Sequence, residues 1–239
     1  MRYSIGVATV TAILAPAAAH AQIRQVSSSD HHQAIGVTLG GFFPKPEDSR
    51  VSGDVLFNDL DDLVFDIKDF KSASIGGEWL VPFNEFFEGG AGIGFSRRTV
   101  PTVYTDFVDI DGSEIEQELR LRTVPISFTV RALPLGQSNP FQPYFGVGLN
   151  VVNWRYSESG DFIDFNNNRE IFRDSFVASG SATGPVVLGG IRFGGQTLTA
   201  GGEIRYSAAK ADLSSDFAGN KIDLGGWTYN FTMGVRFGR

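Results

Sequence analysis

Seven charged residues stand at alternate positions of apolar, strand-like segments, on the face opposite to the bulky side chains. They are Glu78, Glu88, Arg131, Arg192, Glu203, Arg205 and Arg236. Unpaired charges in a confined interior are costly, so we expect these acids and bases to pair with one another. Such a network predicts either a static plug of ion pairs or the lining of a selective water path. We favour the plug, because side chains fill a narrow interior.

The histidine content argues against catalysis. The general base of a neutral-pH reaction is most often a histidine, and the chain has only 3. His20 lies in a predicted signal peptide, and His31 and His32 precede the first predicted strand. We therefore predict no catalytic residues and a protein that is not an enzyme.

Cofactor and nucleic-acid sites are not predicted either. The paired glycines lie on strands with no following helix, which excludes a phosphate-binding loop or a dinucleotide fingerprint. With 0 Cys, the chain has neither a disulfide scaffold nor a thiolate metal site. A net charge of -7 gives no electrostatic footprint for nucleic acid.

An acidic segment, 44–69, follows the first predicted strand. Its aspartates are Asp48, Asp54, Asp59, Asp61, Asp62, Asp66 and Asp69. Two interpretations are open: a hard-cation site that bridges to lipopolysaccharide, or a solvated acidic loop. The stretch 59–62 lacks the central glycine and closing glutamate of an EF-hand, which favours the solvated loop, with no metal ligands.

A second polar segment, 157–174, is predicted as a long loop and carries aromatic residues. Phe162 and Phe165 lie in it, and Tyr156 precedes it. These aromatic side chains could contact a partner or a small ligand, or pack over the barrel mouth as a lid. Both interpretations stay open.

The first residues of the chain have the three parts of a secretory signal. Arg2 supplies a positive charge, 5–14 is a short apolar run, and Ala19-His20-Ala21 is a cleavage pattern. We predict a signal peptide at 1–21 and a short periplasmic leader at 22–33. No later stretch has the run of about 20 apolar residues that a membrane helix needs. A membrane form of this chain must therefore be a β-barrel.

The mature chain divides into eight segments in which apolar residues alternate with small or polar ones, as in β-strands. They are 34–43, 70–83, one that starts near 86, one that ends at Leu133, and four with apolar positions at 145–151, 187–193, 198–206 and 227–237. Glycine, serine and threonine dominate the face opposite to the apolar one. A membrane barrel explains this pattern, because its outer surface is apolar and its narrow lumen accepts small polar side chains.

The connections alternate between short and long, as in outer-membrane barrels. The short ones lie near 84–85, 136–139 and 194–196, and the long ones at 44–69, 97–118, 157–174 and 209–223. Pro125 lies inside a predicted strand, where proline removes a ladder donor. Because Leu119 and Leu121 are out of phase with Val124, we predict a β-bulge at Pro125.

Three motifs resemble the strand motifs of the outer-membrane-protein β-barrel family, the small barrels of the OmpX, OmpW and OmpA-transmembrane type. They are Val124-Pro125-Ile126-Ser127-Phe128, Pro143-Tyr144-Phe145-Gly146-Val147-Gly148 and Gly202-Glu203-Ile204-Arg205-Tyr206. The resemblance covers essentially the whole mature chain. It implies that the barrel-assembly machinery recognises aromatic residues of the last strand. Tyr229, Phe231 and Phe237 match this signal, although Gly238-Arg239 follow the last aromatic residue.

The sequence thus predicts an all-β, eight-stranded, antiparallel up-and-down transmembrane β-barrel at 34–239, located in the cell outer membrane of a Gram-negative bacterium. We expect an integral, non-enzymatic protein that anchors long extracellular loops, for membrane structure or surface interaction. The alternative is a narrow porin-like channel for small or hydrophobic solutes, as resemblance to the OmpW type implies. The expected partners are outer-membrane lipid and lipopolysaccharide, the barrel-assembly machinery and an unknown extracellular ligand.

Overall fold

A computed structural model describes residues 32–165, 167, 169–195 and 197–238 of the chain. The predicted signal peptide at 1–21 and residues 22–31 of the predicted leader lie outside the described residues, as does His31. No helix within the described ranges is long and apolar enough to cross a bilayer.

Eight strands close into a barrel in the order β1-β10-β7-β6-β5-β4-β3-β2. Neighbouring strands are antiparallel and follow one another along the chain, which confirms the predicted up-and-down barrel. Their bounds are β1 Gln33–Pro44, β2 Ser72–Pro82, β3 Phe87–Val108, β4 Glu114–Ala132, β5 Phe141–Asp164, β6 Glu170–Gly194, β7 Leu198–Ser207 and β10 Gly226–Phe237. Two short strands, β8 Lys210–Asp212 and β9 Lys221–Asp223, form a separate two-stranded sheet.

Bulky apolar side chains cover the outside of the barrel wall. Leu39, Phe128 and Phe145 are 50%, 58% and 61% exposed, whereas Ser127 and Thr129 beside Phe128 are buried in the interior. This arrangement is the reverse of a soluble protein. It fits a wall that lies in lipid.

The four central strands are about twice as long as the others. β3 to β6 contain 22, 19, 24 and 25 residues, whereas β1 and β7 contain 12 and 10. Half of the ring therefore continues beyond the barrel as a four-stranded sheet, which we call the extension (residues 97–108, 114–123, 152–164 and 170–183). The prediction of a loop at 157–174 was wrong, because β5 and β6 stay paired as far as Asp164↔Glu170.

The side-chain polarity reverses along a strand whose pleat does not change. On β4, odd-numbered residues face inward throughout: Thr129 and Ser127 within the barrel, then Leu121 and Leu119 within the extension. The outward positions change in the opposite sense, from Phe128 to charged arginines. The reversal follows from the medium outside the sheet, which is lipid around the barrel and water around the extension.

The prediction of a β-bulge at Pro125 was wrong, because the phase change that suggested it comes from the same change of medium outside the sheet. The pairs Ile93↔Ile126 and Ser96↔Thr123 lie on either side of Pro125 and have the same register. Gly94 makes room for the proline ring, because a Cβ at this glycine would lie 3.1 Å from Pro125 Cγ. Leu119 and Leu121 are out of phase with Val124 because the apolar side chains face outward in lipid and inward in the extension, and not because a residue is inserted.

The segments 45–71 and 208–225 fold over the inner face of the extension, and we call them the cap. The cap contains the helix α1 (Val55–Asn58), three 3-10 helices (Glu47–Ser49, Asp59–Asp61 and Ile67–Phe70), β8 and β9. Its apolar side chains share one core with those of the extension. The core includes Val55, Leu56, Ile67, Phe70, Leu119, Leu121, Trp154, Tyr156, Phe217 and Ile222.

A fully buried carboxylate joins the two segments of the cap. Asp54 accepts hydrogen bonds from Arg50 Nε at 2.7 Å, from the Phe57 amide at 3.2 Å and from the Asp223 amide at 2.5 Å. Asp223 in turn accepts from Lys45 Nζ at 2.9 Å. Because Asp54 is saturated with donors, it needs no solvent, and the solvated loop predicted for 44–69 was wrong at this position.

The inner glycines of the wall give a prediction. A Cβ on Gly148, which faces inward, would lie 1.9 Å from the Phe128 carbonyl oxygen, whereas one on the outward Gly189 would meet its nearest atom, the Tyr144 carbonyl oxygen, at 3.7 Å. We expect Gly148→Ala to lower the free energy of unfolding by about 1–3 kcal/mol through overpacking. Gly189→Ala should change it by less than about 0.5 kcal/mol. Urea unfolding in detergent micelles measures both, and equal effects would contradict the assigned faces.

Candidate functional site

Arg131 on β4 lies at the centre of a buried charge network in the barrel. Its side chain is 2% exposed, and its guanidinium group contacts three carboxylates from three other strands. Nη2 lies 2.5 Å from Glu78 on β2 and 3.2 Å from Glu203 on β7, and Nη1 lies 3.9 Å from Glu88 on β3. A buried cation with this many partners ties opposite walls of the barrel together.

Two further arginines extend the network. Arg192 on β6 binds both carboxylate oxygens of Glu88, at 3.1 and 2.9 Å. Arg205 on β7 lies 2.7 Å from Glu203 and donates to Ser127 Oγ at 2.9 Å. Six of the seven charged residues predicted for the lumen are thus connected by ion pairs.

Arg236 on β10 is placed differently from the other six. Among the described residues it bonds to neutral groups: Gln142 Oε1 at 2.7 Å and the Gly195 carbonyl oxygen at 3.1 Å. Gln142 is fully buried and also accepts from Arg192 Nε at 2.9 Å. The amide of Gln142 therefore links Arg236 to the network without a carboxylate.

Two neutral members of this network, Gln142 and Tyr144, were not predicted from the sequence. The Tyr144 hydroxyl donates to Glu203 at 3.2 Å. The Tyr144 ring lies 5.2 Å from the Arg131 guanidinium carbon and 5.7 Å from that of Arg192. Inward parity on β5 was the signal that could have found both residues.

The interior of the chain is filled in layers. The charge network occupies the half of the barrel nearer the short turns. Next to it is a small cavity of about 60 Å³, lined by polar groups such as Ser74, Asn150 and Arg205 and by apolar groups such as Val152 and Leu224. The apolar core shared by the cap and the extension follows.

The network gives a prediction about two arginines. Arg131→Met leaves Glu78 buried without the partner it has in the described structure, and removal of one partner from a buried pair costs about 3–5 kcal/mol. Arg236→Met removes hydrogen bonds to neutral groups and should cost about 1 kcal/mol. Urea unfolding of each variant, refolded in micelles, gives the two costs. If the two costs are equal, or if Arg236→Met costs more, Arg131 does not have the central role assigned to it.

A buried pair of carboxyl groups, one from the cap and one from the extension, lies in the core that these two parts share. Asp59 and Glu158 are 4% and 7% exposed, and the Tyr156 hydroxyl donates to Asp59 Oδ2 at 3.0 Å. Burial and the neighbouring Glu158 carboxylate raise the pKa of Asp59 to about 8. Burial also raises the pKa of Glu158 to about 7. The prediction of a solvated acidic loop was therefore wrong for Asp59 as well as Asp54.

These pKa values make the stability of the cap depend on pH. The folded cap holds protons that the unfolded chain releases, since the pKa of Asp59 rises from 3.8 to about 8. Its free energy of unfolding must fall as pH rises through this window, by up to about 1.4 kcal/mol per pH unit for each proton. Hydrogen exchange of residues 55–70, corrected for the intrinsic exchange rates, should show protection that falls as pH rises from about 4 to about 8 and levels off above this range.

Asp59→Asn keeps the acceptor for Tyr156 and removes the titration of residue 59, so it should reduce the slope of this profile to the part that Glu158 contributes. Asp61→Asn, on the exposed side of the same 3-10 helix, is the matched control and should retain the wild-type profile. If all three profiles have the same slope, the carboxyl pair does not control the cap.

The structure also gives the positions of the aromatic residues and the histidine that were singled out in the sequence. Tyr229, Phe231 and Phe237 lie on β10 and face outward, at 47%, 53% and 41% exposure. Tyr156 and Phe162 are buried, and Phe162 packs on Phe172 and Phe176. His32 lies at the end that carries the short turns, where its Nδ1 is 2.6 Å from the Gly238 carbonyl oxygen.

Aromatic residues border the apolar outer surface of the barrel at both ends. Phe43, Tyr206, Trp227 and Tyr229 lie toward the extension, and Trp79, Phe83, Phe87, Phe141, Phe193 and Phe237 lie toward the short turns. An apolar band between two aromatic girdles on a closed antiparallel ring defines a transmembrane β-barrel of the outer-membrane type. Because short turns face the periplasm in such barrels, we expect the extension and the cap to be extracellular.

Solved outer-membrane barrels have a similar architecture. The attachment invasion locus protein Ail of Yersinia pestis aligns over 87% of this chain and 100% of its own, with 11% identity and a TM-score of 0.49. The N-terminal β-barrel domain of Pseudomonas aeruginosa OprF aligns over 87% and 100%, with 11% identity and a TM-score of 0.42. Outer Membrane Protein W of E. coli aligns over 87% and 99%, with 13% identity and a TM-score of 0.36.

These similarities concern the fold alone, and the assignment as an outer-membrane barrel rests on the closed ring and apolar band of this chain. No protein-family model matches the chain, and a search of curated proteins gives no match.

Proposed function

We propose that this protein is a non-enzymatic integral protein of the outer membrane, and that its barrel anchors a folded extracellular module for surface interaction. The module consists of the extension and the cap. The observation that carries the proposal is the shared core of these two parts, in which Leu119, Trp154 and Ile222 are buried together beyond the lipid band.

The module has the construction of a water-soluble domain. Its inner face is apolar, its outer face carries charged residues, and buried polar bonds through Asp54 hold the two cap segments together. Such a module presents a defined surface to a partner, which a set of solvated loops does not. Order of this kind reduces the entropy that must be lost on binding.

The lumen supports an anchor rather than a channel. Arg131, Gln142 and Glu203 are almost completely buried where the charge network crosses the barrel. Ions or solutes would have to displace these ion pairs and the cap core above them. The narrow porin-like channel remains the alternative function, and conductance separates the two.

We expect the refolded wild-type protein to give no regular single-channel steps in planar bilayers in molar KCl, because the ion-pair network fills the lumen. Bilayers with matched detergent and no protein are the control. Regular conductance steps from the wild type would favour the channel.

The surface role is tested on whole cells. A variant in which a short Gly-Ser turn replaces 46–70 lacks the first cap segment and keeps all eight barrel strands. Cells with the wild type should bind features of a glycan and protein array that cells with this variant do not bind. Identical binding patterns would contradict a role for the cap, and heat-modifiable gel migration verifies that the variant barrel is folded.

A further inference from the structure

Three arginines form a row across three adjacent strands on the outer face of the sheet. Arg97 on β3 pairs directly with Arg122 on β4, and Arg122 pairs directly with Arg155 on β5. All three are exposed. Side chains at directly paired positions have Cβ atoms about 4.5–5.5 Å apart, so the three guanidinium groups can reach a common ligand.

The row has no compensating acid in the described part of the chain. No carboxylate of these residues lies within ion-pair distance of Arg97, Arg122 or Arg155. Like charges at directly paired positions destabilise a sheet. An anion from outside the chain would remove this cost.

The row lies at the edge of the lipid-facing band. The next outward residues toward the periplasm are Phe95 on β3 and Val124 on β4, followed by Ile93 and Ile126. On β3 and β4 the outward residues remain apolar or glycine from there to the short turns, whereas on β5 the polar Asn153 lies between Arg155 and the first apolar outward residue, Val151. The arginines are therefore at the height where the headgroups of the outer leaflet meet water.

The sign of the outward charge on β4 changes with distance from the membrane. Arg122 and Arg120 come first, and Glu118, Glu116 and Glu114 follow at the outward positions farther along the strand. Arg120 lies 3.4 Å from Glu118 and so is already paired. Basic residues next to the band and acidic residues beyond it match a layer of anionic headgroups.

We propose that Arg97, Arg122 and Arg155 bind the phosphate groups of a phosphorylated glycolipid of the outer leaflet, whose acyl chains lie on Phe95, Ile93 and Ile126. Guanidinium groups form bidentate, charge-assisted hydrogen bonds with phosphate, which makes arginine well suited to this site. The occupant is a lipid rather than a soluble anion, because on β3 and β4 the row is continuous with the apolar band. The proposal rests on the outer-membrane placement and is independent of the surface role of the cap.

The test compares the wild type with Arg97→Gln/Arg122→Gln/Arg155→Gln in micelles. The control Lys68→Gln/Arg173→Gln/Lys210→Gln removes the same charge from exposed positions outside the row. Native mass spectrometry counts bound bisphosphorylated lipid A during titration, with dephosphorylated lipid A and phosphatidylglycerol as parallel probes. We expect the row variant to bind bisphosphorylated lipid A at least about tenfold more weakly than the wild type and the control.

Equal affinity of the row variant and the wild type for bisphosphorylated lipid A would overturn the proposal. So would wild-type binding of dephosphorylated lipid A with the same affinity, or competition by inorganic phosphate at equal concentration. Heat-modifiable migration shows whether each variant is folded. A wild-type protein that stays monodisperse without amphiphile would instead refute the membrane placement, so the two failures are distinguishable.

Discussion

The structure depends on one constraint: the strands of a single closed sheet pass from lipid into water. In lipid every backbone donor and acceptor must be satisfied within the protein, which only the complete ring of eight strands achieves. Above the lipid the requirement ends, and the ring opens into the four-stranded extension. The alternation of side chains along each strand is unbroken through this transition. On β4, Phe128 therefore faces outward into lipid, and Leu121 faces inward in the part of the strand that water surrounds. The cap covers the apolar inner face that this inversion creates.

The two interiors handle buried charge in different ways. Within the barrel, Arg131 is almost completely buried, and carboxylates from three other strands surround it. In the cap, Asp54 is neutralised by Arg50 and saturated by backbone amides. Asp59 has a single tyrosine donor and a carboxylate neighbour, so its pKa rises to about 8. The first two arrangements stabilise fixed geometry, whereas the third predicts that the stability of the cap falls as pH rises.

The boundary between lipid and water connects the fold to the proposed functions. Below it, the filled lumen favours an anchor over a passage. Above it, the cap and the extension form a module with its own core. At the boundary, Arg97, Arg122 and Arg155 present uncompensated positive charge to the headgroup layer, in register across three strands. A lipid bound there would fix the depth and the orientation at which the module stands above the membrane.

The barrel strands, the faces of their residues and the inward charges follow from the sequence, because period-two alternation in lipid is a local pattern. Eight segments were predicted and eight strands close the ring. The lengths of β5 and β6, the unbulged strand at Pro125 and the burial of Asp54 and Asp59 were decided only by the tertiary structure. Each depends on a contact with a residue distant in sequence. Gly94 accommodates the ring of Pro125, and the packing of the cap on the extension buries the aspartates and supports the long strands. A local pattern cannot show whether water or another segment of the chain covers a residue. The burial of the acidic residues of the cap and the lengths of β5 and β6 therefore could not be predicted without the tertiary structure.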